Sequence, residues 1–283
     1  MTSVSLSREC RHASQASEAV DYAGILAFTR LICNANIFYF HPVFLPVPQV
    51  CMRFSDPLIP AVLQKRYQRF LVDVQLADGR TVTAHCPNTG AMLTCATPGS
   101  PVRLSQSANP RRKYQFSLEM VQEGGTWVGV NTARTNKIVI EAIERGTVRE
   151  LADPDRIAKE VGTSAGCRLD LAVMHGETTT FVEIKCCTYV DQGWAMFPDA
   201  VTARGTRHLL ELRDLVRRGA SGAVLFLVQR ADAFRFRPAA AIDPLYARTL
   251  EKVHEEGVAI LVYKTQVTPE EIAVTHSLPY SFT

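Results

Sequence analysis

Apolar and polar positions alternate from Phe70 to Leu76 (FLVDVQL), stop at Asp78-Gly79, and alternate again through RTVTAHC. Side chains two apart on a strand share a face. An Asp-Gly pair between two such runs is a strong hairpin signal. Further short strands are predicted around 101–105 and 114–122, the second ending at Gly124-Gly125. This Gly- and Pro-punctuated stretch of about 75 residues fits a small barrel of the oligonucleotide-binding (OB) type.

After Trp127 the rhythm changes. Asn131-Thr132 can cap a helix to about Arg145, with Ile138, Ile140 and Ile143 for burial and Gly146 as its stop. Strands are predicted at 167–174 and 180–187, then an amphipathic helix at about 200–218. An apolar strand at 223–228, a helix near 244–256 and a strand at 258–263 follow. Alternation of this kind is an α/β layer structure with a mixed sheet. The reading is therefore three parts: a poorly structured extension over 1–51, an OB-like barrel over 52–126 and an α/β domain over 127–283. The segment RIAKEVGTSAG at 156–166 also invites a helix-turn-helix reading. It is set aside because Gly166 would fall inside the recognition helix and the next residues read as a strand.

Charge separates the two domains. Residues 52–126 carry nine Lys/Arg and five Asp/Glu, a net of +4, whereas 127–283 carry nineteen and twenty, a net of −1. A domain that tracks a polyanion is thus the first. Its candidate phosphate contacts are Arg66, Arg69, Arg111, Arg112 and Lys113, the last three beside Tyr114. Eight cysteines without a CxxC or a zinc-like spacing fit reduced thiols in the cytoplasm. Residues 31–50 lack Lys, Arg, Asp and Glu, yet Asn34, Asn36, His41, Pro42, Pro46 and Pro48 speak against a membrane span. Asp21 and Arg30 interrupt any signal-peptide core.

The strands CRLDLAVM and TFVEIKCC can be aligned by a hairpin centred between Gly176 and Glu177. That register sets Asp170 opposite Glu183, Leu171 opposite Val182 and Leu169 opposite Ile184. Asp170, Glu183 and Lys185 then share one face, and the four aliphatic residues share the other. Opposed carboxylates repel unless a cation lies between them. Lys185 supplies part of that charge, and a hard divalent ion, Mg²⁺ or Mn²⁺, would supply more. In a phosphodiesterase reading Asp170, Glu183 and the carbonyl of Ile184 hold the metal, and Lys185 orients or activates the attacking water. The plain alternative is a solvated pair with an ordinary salt bridge. Glu141, on the preceding helix, is a candidate third acid, with Glu160 competing for that place. Arg204, Arg207 and His208 fall on adjacent turns of the long helix, where the arginines can reach a phosphate. His208 alone reads as a polar helix residue.

Several stretches carry a resemblance: PNTGAM at 87–92, SANPRRKY at 107–114, VGVNT at 128–132, RLD at 168–170, VEIK at 182–185 and FPDAVTARGTRHLLEL at 197–212. In order and spacing they resemble the bacterial sugar fermentation stimulation protein A (SfsA) family. The resemblance spans nearly everything from Met52 onward. It implies an N-terminal OB-type domain, a C-terminal PD-(D/E)XK nuclease-like domain, DNA as partner and a link to regulation of sugar use. Asp170, Glu183 and Lys185 match the nuclease-type core by position. Two functions stay open: a regulatory DNA-binding protein, or a Mg²⁺-dependent DNA endonuclease. Oligomeric state is open as well, a homodimer being one option. Residues 1–51 have no counterpart in the pattern, and where it has a lysine in the helix motif this chain reads Thr206-Arg207.

Overall fold

The computed structural model describes residues 51–164 and 166–282, apart from the side chain of residue 51. The extension expected over 1–51 lies, except for the backbone of residue 51, outside the described residues. After a short strand β1 (Cys51–Arg53), a barrel is built from β2 (Ile59–Tyr67), β3 (Leu71–Leu76), β4 (Thr81–His85), β5 (Pro101–Gln106) and β6 (Phe116–Glu123), with β7 (Thr126–Gly129) added at its edge. Antiparallel pairing runs β4-β3-β2-β5-β6-β7, and a parallel bridge between His85 and Ser117 closes β4 onto β6. The β3–β4 hairpin turns at Asp78-Gly79, where Gly79 has φ +84° and Asp78 Oδ1 accepts the Arg80 N–H. A positive φ costs glycine little, which is why the turn signal is readable in the sequence. The alternation directs one set of side chains inward: Val72, Val74, Ala84, Leu104 and Leu118 form a buried barrel core.

A 3-10 turn at Thr132–Arg134, capped by the Asn131 side chain, leads into α1 (Thr135–Glu144). As expected, Ile138, Ile140 and Ile143 are buried, and Gly146 follows at φ +73°. The remaining elements are β8 (Arg156–Ser164), β9 (Cys167–His175), β10 (Thr178–Cys187), β11 (Tyr189–Asp191), β12 (Trp194–Phe197), α2 (Ala203–Arg217), β13 (Ser221–Val228), β14 (Arg235–Pro238), α3 (Pro244–Glu255), β15 (Ala259–Val267) and β16 (Glu271–Ser277). Seven strands form one mixed sheet in the order β1-β16-β15-β13-β10-β9-β8, parallel only across β10-β13-β15. β13 (SGAVLFLV) sits at its centre and is apolar on both faces, as a doubly covered strand must be. The core containing α1 covers one face. The core containing residues of α2 and α3 covers the other. A separate three-stranded sheet, β11-β12-β14, carries Phe197 against Phe226 and Tyr246.

Two features depart from the sequence reading. RIAKEVGTS, to which the sequence reading assigns no element, is an edge strand, β8; the helix-turn-helix set aside there does not form. β1 precedes the barrel in sequence yet pairs with β16, and Met52 is buried in the core beside α1.

Barrel and sheet are tied by buried polar groups. Glu119 on β6, 1 % exposed, accepts both Arg134 Nε and an Arg134 Nη at 2.6 Å, Ser105 Oγ at 2.6 Å and Asn131 Nδ2 at 2.9 Å. Arg230, also buried, donates to the Thr94 and Thr188 carbonyls and is paired with Asp232. Burying such charges is tolerable only because each is matched. No helix among the described residues is long and apolar enough to cross a membrane.

Candidate metal centre

β9 and β10 pair in the expected register, from Thr178 with His175 to Val182 with Leu171. The ladder ends there, one step before Asp170 and Glu183. In its place Asp170 Oδ2 accepts the Ile184 N–H at 2.7 Å, and Oδ1 accepts Asn136 Nδ2 at 3.1 Å. The carboxylate thus stands in for a ladder carbonyl. In a regular strand a residue's N–H and C=O point to the same neighbour, which would turn the Ile184 carbonyl toward Asp170 as well. On the other flank Glu160, at φ +52°, is skipped in the β8–β9 pairing. One difference from the sequence reading lies beside this irregularity. Leu171, Val182 and Ile184 share the core beside α1, but Leu169 packs in the opposite core. The alternation slips between 169 and 171.

Glu183 is 3 % exposed. Its Oε1 accepts Lys185 Nζ at 2.5 Å and lies 2.5 Å from His208 Nδ1. Its Oε2 is buried without a hydrogen-bond partner. Burial alone would raise the Glu183 carboxyl, but the His208 hydrogen bond and the Lys185 charge outweigh it and hold the group below its ordinary range. Asp170 moves the other way: burial and then the charge of Glu183 raise it, against the Ile184 N–H, Asn136 and Lys185. The two neighbouring carboxyls are thus pushed apart by their different partners.

The donors suit a hard cation. Asp170, Glu183 and the Ile184 carbonyl would offer oxygen donors, and the bare Oε2 is a buried acceptor that lacks a donor. Among the described residues no group of three or more His, Cys, Asp and Glu side chains is placed to hold a metal. A cation here would therefore draw on two carboxylates, a carbonyl, and water or phosphate, as Mg²⁺ commonly does.

Two neighbouring cavities open at this place. One, of about 340 Å³, is lined by Thr132, Thr135, Asn136, Glu160, Asp170 and Ile184, among others. The other, of about 300 Å³, shares Thr132, Ile184 and Cys186 with it and adds Lys185, Arg69, the 88–90 loop and residues 197–202. Glu160 thus lines the first cavity, although its carboxylate also lies 3.7 Å from Arg168. Glu141 does not line either; it pairs with Lys137 one turn back at 3.6 Å. The reason is helical phase: Glu141 is five residues from Asn136, about 140° round the helix from the side that meets Asp170. Of the two competing third acids, geometry favours Glu160.

The basic candidates divide. Arg66 donates to the carbonyls of Arg69, Asn88, Gly90 and Ala91, so its head group fastens the 88–91 loop instead of facing a ligand. Arg69 is exposed and lines the cavity that holds Lys185. Arg111 and Lys113 are exposed on the β5–β6 loop, Lys113 over the Tyr114 ring, while Arg112 Nη lies 3.5 Å from His85 Nδ1. Arg207 is exposed, and Arg204 Nε contacts His208 Nε2 at 3.3 Å. Asp199 was not legible as a site residue. Its Oδ2 accepts the Met92 N–H at 2.8 Å across the domain junction, so FPDA meets PNTGAM. VGVNT meets PNTGAM too, since Pro87 O accepts Thr132 Oγ1 at 2.6 Å.

Comparison with known proteins agrees with this architecture. Residues 65–130 match the family model "SfsA N-terminal OB domain" and residues 133–271 match "Sugar fermentation stimulation protein RE domain". A sugar fermentation stimulation protein homolog of Desulfotalea psychrophila is 51% identical over 216 residues, covering 76% of this chain and 92% of the relative. One from Citrifermentans bemidjiense is 48% identical over 228 residues, covering 81% and 99%. The solved structure of Pyrococcus furiosus SfsA in complex with Ca²⁺ superposes with a TM-score of 0.76 at 26% identity, covering 83% of this chain and 100% of that one. An OB barrel joined to a mixed-sheet α/β domain, matched over most of their length by relatives at about half identity, places this chain in the sugar fermentation stimulation protein (SfsA) family.

Proposed function

We propose that this protein binds DNA as a regulatory factor and holds a divalent cation, Mg²⁺ or Mn²⁺, at Asp170 and Glu183. The observation that carries the reading is the acid pair itself. A protein that only bound DNA would have no evident use for two carboxyls placed together in a sheet break, one of them with a buried oxygen lacking any donor. The Pyrococcus furiosus relative is a complex with Ca²⁺, which supports a site for hard cations. Arg69, Arg111, Arg112, Lys113 and Arg207 would supply phosphate contacts.

A second reading, Mg²⁺-dependent phosphodiester hydrolysis, is favoured by Lys185. Its side chain is 12% exposed, held at 2.5 Å from Glu183, and it lines the cavity that contains Arg69. A bound Mg²⁺ would supply Lewis acidity toward a phosphate and lower the pKa of water. Lys185 would orient a water and Arg69 would hold a phosphate in the cavity both line, while Asn136 donates to Asp170. Fold alone does not decide between these functions.

Melting curves with and without Mg²⁺ or Mn²⁺ test the metal site, since a ligand that binds only the folded state raises its stability. Asp170→Asn should remove most of that gain. Nicking of supercoiled plasmid with Mg²⁺, abolished by Lys185→Ala while metal stabilisation survives, would establish the enzyme. Metal stabilisation without nicking leaves the regulatory DNA-binding reading, and absence of both refutes the metal site.

A further inference from the structure

Helix α2 presses one more polar group against the acid pair. Its other buried positions are Gly205, Leu209, Leu212 and Leu215, yet His208 sits among them at 3% exposed. A polar ring taken out of water must be matched. His208 is matched on both nitrogens: Nδ1 to Glu183 Oε1 at 2.5 Å, and Nε2 to Arg204 Nε at 3.3 Å. Arginine only donates, so Nε2 accepts and the ring hydrogen is on Nδ1. The imidazole Nδ1–H therefore donates to Glu183, and Arg204, one turn back, fixes the tautomer.

Lys185 donates to that same oxygen. Both donors converge on Oε1, and none reaches Oε2, which is buried and unpartnered. A carboxylate with one donor could exchange its two oxygens by rotation about its last bond. With two donors from different elements, β10 and α2, the exchange would break both bonds at once.

We propose that His208, held in its tautomer by Arg204, is a positioning residue that turns Glu183 so that Oε2 is offered to a divalent cation shared with Asp170. The inference rests on the metal-binding reading above. It gives Arg204 a task different from phosphate contact: its Nε acts through the imidazole. Partners that orient metal-ligating side chains typically contribute 10- to 100-fold to metal affinity.

The test is Mn²⁺ binding to the full chain by titration calorimetry, with no DNA present. His208→Ala should weaken Mn²⁺ binding about 10- to 100-fold. His208→Asn places an amide N–H where Nδ1–H lies and should recover most of the affinity. Arg204→Gln should give an intermediate loss. A purely structural histidine would lower the metal-free melting temperature in His208→Ala and leave the Mn²⁺ affinity unchanged, which overturns the proposal. Equal losses in His208→Ala and His208→Asn would assign the effect to volume and overturn it as well. Should His208→Ala not fold, His208→Asn and Arg204→Gln decide: wild-type-like affinity in His208→Asn with a loss in Arg204→Gln supports the proposal, and unchanged affinity in Arg204→Gln overturns it. Wild type that binds no Mn²⁺ removes the metal site itself, and this inference with it.

Discussion

Gly90→Ala adds one carbon at the junction between barrel and sheet, and its effect can be worked from contacts. A Cβ there would lie 2.5 Å from Asp199 Oδ1, 2.6 Å from Oδ2 and 2.9 Å from Cγ. The loop cannot retreat easily, because Arg66 holds the Gly90 carbonyl at 2.7 Å and Asn88 Oδ1 accepts the Gly90 N–H at 2.9 Å. Asp199 must therefore move, and it loses the Met92 N–H at 2.8 Å. A hydrogen bond to a charged acceptor is worth about 1.5–3 kcal/mol. Residual crowding brings the expected loss to about 2–3 kcal/mol, within the usual range for overpacking. For a chain of this size that is a fall of about 4–12 °C in melting temperature. Circular-dichroism melts of Gly90→Ala, Asp199→Ala and the double variant give the coupling. Without the carboxylate the added methyl meets none of these atoms, so Gly90→Ala should cost under about 0.5 kcal/mol in the Asp199→Ala background. Equal costs in the two backgrounds would refute the reasoning.

Asp170→Asn should stabilise the metal-free protein, and the gain should depend on pH. Burial and Glu183 raise the Asp170 carboxyl above its ordinary 3.8, so the folded state holds that proton more tightly than the unfolded chain. The favourable contribution of the protonated form is complete below pH 3.8 and is lost as pH rises through the folded value. The melting-temperature advantage of Asp170→Asn should thus be small in acid and largest near neutrality, and a gap independent of pH would contradict the assignment. The new amide can keep both contacts if Asn136 turns its own amide. In the barrel, alanine at Arg111, Arg112 and Lys113 together should weaken DNA binding across sequences. It should also flatten the salt dependence by up to about 0.9 log-log units per lost contact, measured by fluorescence anisotropy; an unchanged slope rules the patch out.

The parts legible in the sequence were those with local rules. The Asp78-Gly79 hairpin, the capped helix with its three isoleucines, and the β9–β10 register each follow from periodicity or turn chemistry. The acid pair followed from the register. What stayed hidden depends on long-range partners. β8 has no apolar stripe because it is an edge strand with most positions in contact with solvent, so its pattern resembled nothing definite. β1 is three residues long, and the strand it pairs with, β16, lies more than two hundred positions away. His208 looked like an ordinary helix residue because Glu183, its partner, lies 25 positions earlier. Arg66 looked like a phosphate ligand because composition counts charges and does not see the four carbonyls that engage it.

The junction explains why motifs scattered along the chain belong together. Residues 88–90 from PNTGAM, Thr132 from VGVNT, Ile184 and Lys185 from VEIK, and residues 197–202 all line one cavity of about 300 Å³. Its barrel-side wall is held by Arg66 from within the barrel and by Asp199 and Thr132 from the sheet domain. Further out, Glu119 with Arg134 and Arg230 with Thr94 fasten the same two bodies by buried polar contacts. Separating barrel from sheet would break all of these contacts at once, at a cost of about 3–5 kcal/mol where a buried charge pair such as Glu119 with Arg134 is broken. The barrel is therefore part of the enclosure of the cavity that Lys185 lines, as well as a basic surface beside it. A phosphate held by Arg69 would occupy the cavity that Lys185 lines, so a change in the 88–90 loop should alter metal and phosphate binding together while the Asp170–Ile184 contact itself is untouched.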